Sequence, residues 1–187
     1  MMICPRNRHR IVTAFFVTVS FCLPFSGAFA ADEQALLDDL ATASPEEAAQ
    51  IEDQLARAWA KSGSAAMDLL LQRGRDALEA GDLDAAIEHF TALTDHAPEF
   101  AEGWNMRATV FFQQDKPGLA LEDLTKALTL NPNHFGAIIG LAVILEQTGY
   151  PADALEAYRT VQSIHPHQDQ VATAIERLEK EVGGQDI

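Results

Sequence analysis

Cysteine is confined to the start of the chain: Cys4 and Cys22 are the only two in 187 residues. From residue 23 onward no disulfide, thiolate metal site or cysteine nucleophile can form, so packing alone must hold the fold. Positive charge is equally scarce, with 13 Lys and Arg against 28 Asp and Glu and a formal net charge of −15. No three basic residues adjoin, which excludes nucleic acid and anionic lipid as partners, since both require clustered Lys and Arg. Gly-rich phosphate loops are missing, and no nucleophile sits in a strand–turn–helix setting. His165 and His167 flank a proline and read as exposed turn residues, because two histidines without cysteine or patterned carboxylates make a poor zinc site. His89 and His96 read the same way. The expectation is a protein that is not an enzyme, with no catalytic residue, no metal and no cofactor.

Long hydrophobic runs occur at two places: the start of the chain, and FGAIIGLAVILEQ at 135–147, which is apolar nearly all round and reads as buried or as a binding wall. Ile11–Phe25 is an apolar run of 15 residues, short of the roughly 20 that span a bilayer, and Pro24 and Gly27 close it. Arg6, Arg8 and Arg10 precede it and Ala28-Phe29-Ala30 follow, the layout of a secretory signal peptide over residues 1–30. Cleavage is expected after Ala30, with periplasmic localisation and no membrane association afterwards. Removal of that segment takes both cysteines and three arginines, so the remaining 157 residues carry −18 instead of −15.

What the chain does have is a period. Pro98, Pro132 and Pro166 are 34 residues apart, and Gly81, Asp115 and Gly149 keep the same step. So do Ala86, Ala120 and Ala154, then Phe90, Leu124 and Tyr158, then Leu93, Ala127 and Val161. A fixed period of this length signals a stacked-repeat architecture. Each copy parses as two helices. Leu83, Ala86, Ile87, Phe90 and Leu93 recur at three- and four-residue spacing, a helical stripe. Gly81 supplies a left-handed exit from the preceding helix, and the small residue at Ala86 lets two antiparallel helices approach closely.

These columns resemble the tetratricopeptide repeat (TPR). The second copy shows the motif best, with Trp104, Ala108, Phe111, Ala120, Leu124, Ala127 and Pro132; Trp104 is therefore read as core. Leu70, Gly74, Ala77 and Ile138, Ala142, Leu145 open the first and third copies. Arg73 and Arg107 stand where the family packs leucine. The reading favoured for both is an apolar stem with a solvated head; an ion pair with a second-helix carboxylate is the alternative. The resemblance implies an all-α, right-handed α-solenoid: an N-terminal helical hairpin (31–66), repeats at 67–100, 101–134 and 135–168, and a C-terminal capping helix and tail (169–187).

In such a stack the first helix of each pair lines a concave groove. The residues expected there are Leu71, Arg75, Asn105, Thr109, Phe112, Ile139, Val143 and Glu146, with Gly136 and Gly140 leaving room for a ligand. Apolar anchors surround a few directional groups: Asn105 suits a backbone amide, and Arg75 suits a carboxylate. Family members that grip a C-terminal carboxylate need basic and asparagine residues where this chain has Leu71, Arg75, Met106, Gly136 and Gly140, so that clamp is not expected. The resemblance, which extends to small secreted repeat proteins of Gram-negative bacteria, implies an envelope adaptor that binds another protein or peptide. The alternative is a periplasmic chaperone for unfolded exported proteins such as apocytochromes. Self-association, or a groove filled by the chain's own terminal helices, stays open.

Overall fold

Helices end and restart where the 34-residue columns place Gly81, Asp115 and Gly149. All three adopt positive φ, at 76°, 57° and 86°, the left-handed exit that glycine accepts freely and Asp115 accepts at some cost. At each turn the next N–H closes back on the helix just ended: Asp82 to Ala77, Lys116 to Phe111 and Tyr150 to Leu145, every N–O distance being 2.9 Å. Three turns of one design give three matched helix pairs.

The structure is a computed structural model that describes residues 27–184. Most of the expected signal segment lies outside the described residues. Among those described, α1 (Gly27–Thr42) and α2 (Pro45–Trp59) form the N-terminal hairpin. The pairs are α3 (Ala65–Glu79) with α4 (Leu83–His96), α5 (Ala101–Gln113) with α6 (Pro117–Leu130), and α7 (Phe135–Gln147) with α8 (Pro151–Ile164). Helix α9 (Asp169–Gly184) follows. The described residues are all-α. Ser44 and Glu47 close the capping box that opens α2.

Within each pair, one small and one large residue fit together. Gly74 faces Phe90 so closely that a Cβ added there would lie 2.6 and 2.7 Å from two ring carbons. The same columns hold Ala108 with Leu124 and Ala142 with Tyr158. Ala86, Ala120 and Ala154 are wholly buried at the helix crossings. Ala120→Leu should therefore overpack the α5–α6 crossing and lower stability by about 1–2 kcal/mol, read as a fall in thermal midpoint.

Arg107 corrects the reading of a solvated head. Its guanidinium grips Asp123 of α6 with Nε–Oδ2 at 2.7 Å and Nη2–Oδ1 at 2.8 Å, while Nη1 donates to Thr94 of α4 at 2.8 Å. It lies over the rings of Trp104 (4.8 Å) and Phe111 (5.7 Å). A leucine would fill the space but could not join the two repeats by hydrogen bonds. Arg73, by contrast, is exposed.

The hairpin does not lead the stack. Leu37, Leu40, Ala48 and Leu55 share one core cluster with Phe135, Ile138, Tyr158 and Ile175 of the third pair and α9. His167 donates to the Ala43 carbonyl at 2.8 Å and Glu52 meets His165 at 3.2 Å. His165 is thus not an exposed turn residue: it is 3% exposed, edge-on to Phe135. Helix α2 meets the start of α7 through Trp59 against His134 and Phe135, its Glu52 reaches His165 and Gln168 ahead of α9, and α1 packs on α8.

The front of the array is left uncovered by the hairpin. Phe100, the N-cap of α5, and Met106 and Val110 within it pack into the first repeat. Their 34-residue counterparts in α3 are Ala66, Gln72 and Asp76, all exposed, with Gln72 donating to Asp76 at 2.7 Å. The front face is polar at these positions because its sequence departs from the repeat there, while Leu69, the counterpart of Gly103, is 49% exposed.

Candidate functional site

Helix α3 meets α5, and α5 meets α7, so the first helices of the three pairs form one inner row. The polar centre of that row is Glu102, in the first turn of α5 and only 6% exposed. Its carboxylate accepts from the Arg75 guanidinium of α3, from Asn105 Nδ2 at 3.0 Å and from His134 Nε2 at 2.9 Å. Burial pushes the Glu102 carboxyl up. The hydrogen bonds from His134 and Asn105, with the charge of Arg75, outweigh that and hold it below its ordinary value.

His134 is in turn the N-cap of α7, its Nδ1 accepting from the Ala137 N–H at 3.2 Å. With Nδ1 an acceptor, the ring hydrogen sits on Nε2 and donates to Glu102. Trp59 of α2 stacks on the imidazole with centroids 4.4 Å apart. Its indole N–H donates to Glu33 of α1 at 2.7 Å, and the same oxygen accepts from Asn131 at 3.0 Å. One chain of contacts thus runs from the first repeat through the second and third into the hairpin.

This arrangement redistributes the residues expected to line the groove. Leu71 is 2% exposed and belongs to the core of the first pair, which removes it from any binding surface. Arg75 and Asn105 come together, but on Glu102, so the guanidinium expected for a ligand carboxylate is already paired. Ile139 and Val143 are half-buried against the cluster that the hairpin and α9 join. Glu146 pairs with Arg177 of α9 at 2.7 Å. Thr109 and Phe112 remain half-exposed on α5, the Thr109 hydroxyl donating to the Asn105 carbonyl at 3.1 Å.

Glu102, His134 and Glu33 carry the polar network, and the sequence reading passed over all three. A signal was available. The Glu102 column holds a carboxylate in two copies, Asp68 and Glu102, before Gly136, and the His134 column turns from Phe100 to the polar His134 and Gln168 at the later seams.

Tetratricopeptide repeat models match residues 71–135 and 111–178. A TPR repeat-containing protein of Rhizobium etli is 33% identical over 138 residues, 72% of this chain and 68% of that protein. Among solved structures, the first TPR of Spaghetti (RPAP3), bound to the HSP90 peptide SRMEEVD, is similar with a TM-score of 0.60 and 20% identity. It aligns over 63% of this chain and 93% of its own. The Yersinia enterocolitica type III secretion chaperone SycD, in complex with a peptide of the translocator YopD, gives 0.60 at 14% identity over 63% and 95%. With the sequence period, the three matched turns and these similarities in agreement, the chain belongs to the tetratricopeptide repeat family.

Proposed function

We propose that this protein is an exported, non-catalytic binding module that holds a polypeptide segment against its inner helix row, as an adaptor of the bacterial envelope. The observation that carries this reading is the middle of α5. The chain's own contacts engage the row at Glu102 and at Glu146–Arg177, while Thr109 and Phe112 on α5 stay half-exposed. An apolar anchor with flanking polar groups is what a bound peptide needs. The peptide complexes of the RPAP3 and SycD domains support the class of ligand. The pairing of Arg75 with Glu102 argues against recognition of a terminal carboxylate at that point. The basic head, apolar run and Ala28-Phe29-Ala30 support export to the periplasm.

Photo-crosslinking from positions 109 and 112 in cells tests the proposal. One dominant protein partner is expected, and Phe112→Ser should cut its yield about tenfold, the scale of one buried anchor. A smear of unrelated exported proteins would favour a chaperone role. Crosslinks only within the chain would mean that α1–α2 or α9 fills the row.

A further inference from the structure

The 34-residue register allows one seam of this protein to be read against the next. Between α4 and α6, the space behind α5 is filled. Trp104, Arg107 and Phe111 occupy it, and the Arg107 guanidinium is locked onto Asp123 and Thr94. One repeat later the same columns hold Ile138, Leu141 and Leu145, with Ala157 in place of Asp123 and Leu128 in place of Thr94. Each replacement is apolar, and the tryptophan, the arginine and the phenylalanine have all become aliphatic. The result is an open cleft of about 350 Å³ between α6 and α8, floored by Ile138, Leu141 and Leu145. It faces away from Ile139 and Val143 and is separate from the inner row.

The rim carries charge of one sign. Asp153 and Glu156 of α8 border the cleft, both are exposed, and neither side chain is paired with a cation among the described residues. The later seam thus has no inward carboxylate where the earlier one has Asp123; its carboxylates stand at the edge, Glu156 in the column of Glu122 and Asp153 in that of Leu119. The earlier seam also shows what such a space accepts: an aromatic ring with a guanidinium beside it.

We infer that the α6–α8 cleft is a second docking site, for a polypeptide partner that presents a large apolar side chain next to an arginine or lysine. The apolar side chain lies on Leu141 and Leu145, in the space that the bulkier Arg107 and Phe111 take up in the preceding seam. The basic group lies along the rim and pairs with Asp153 or Glu156. The net charge of −15 adds a general attraction for such a segment.

The test uses the full chain, isotope-labelled for NMR, and two probes: N-acetyl-Trp-Arg-amide and N-acetyl-Trp-Glu-amide. The arginine probe is expected to shift Leu128, Leu141, Leu145 and Ala157 together. The glutamate probe should bind about fivefold more weakly, the scale of one or two exposed ion pairs. The double variant Leu141→Arg with Ala157→Asp rebuilds the earlier seam's ion pair and fills the cleft from within. It should keep its helicity and lose the shifts. If that variant fails to fold, Asp153→Asn with Glu156→Gln still applies, and should erase the difference between the two probes. Equal binding of both probes by the unaltered chain would overturn the assignment. So would shifts confined to Thr109 and Phe112, or cleft shifts that grow with protein concentration before any probe is added, which would identify a second copy as the occupant.

Discussion

Glu102→Ala is expected to destabilise the protein by about 3 kcal/mol in urea unfolding. The loss has several sources. Asn105 and His134 each lose a buried acceptor, and His134 loses the partner that orients it as the α7 cap. Arg75 contributes less, because its side chain is 34% exposed and recovers water. Glu102→Gln keeps an acceptor for His134 and should cost about half as much. The linkage has a definite sign. The folded carboxyl is held below the ordinary value of 4.5, so its contribution is complete above that pH and fades as pH falls below it. The acid-unfolding profile of Glu102→Gln should therefore be flatter than that of the parent in that range. If the two profiles coincide, the carboxylate is not stabilised by its neighbours. Because His134 stacks on Trp59, Glu102→Ala should also change the fluorescence of that indole, a readout that a purely local defect in α5 would leave alone.

Gly74→Ala is expected to cost about 2 kcal/mol, although alanine in a helix interior is ordinarily favoured over glycine by about 1 kcal/mol. The added methyl meets the Phe90 ring well inside contact distance, and Phe90 is wholly buried, with nowhere to turn. The second pair supplies the remedy, since it joins Ala108 to Leu124 in the same columns. Gly74→Ala with Phe90→Leu should thus recover at least about 1 kcal/mol of the loss from Gly74→Ala, a coupling that a double-mutant cycle measures directly. Additive losses in the cycle would show that the ring is not what excludes the methyl.

The sequence made these pair contacts legible, because small and large residues alternate within columns that repeat at 34. Helix boundaries followed for the same reason: Gly81, Gly149 and the seam prolines act within a few residues of chain. The destination of the hairpin did not follow. Ile51, Leu55 and Trp59 form an amphipathic face, and that face alone does not say which other face it meets. The first repeat refuses it with Gln72 and Asp76, and the third accepts it through Phe135 and His134. The inner row was half legible. Periodicity placed Thr109 and Phe112 on the inner row, but it also placed Arg75 and Asn105 there as free groups. Only the spatial meeting of α3, α5 and the start of α7 at Glu102 shows them engaged. Arg107 was readable as an exception, and its partner Asp123 was not, since a helical pattern marks both simply as polar.

The polar front of α3 has a bearing on how many copies join. Helix pairs stack head to tail, so an apolar leading face would accept the trailing end of another molecule as readily as that of its own chain. Where the rotation of such a contact does not close into a ring, open fibres are the result. At Gln72 and Asp76 the columns that elsewhere hold Met106 and Val110 turn hydrophilic, while α9 carries Glu176, Lys180 and Glu181 outward at the other end. Polar and charged groups at both ends oppose head-to-tail stacking of copies, with Leu69 the exposed apolar exception on α3.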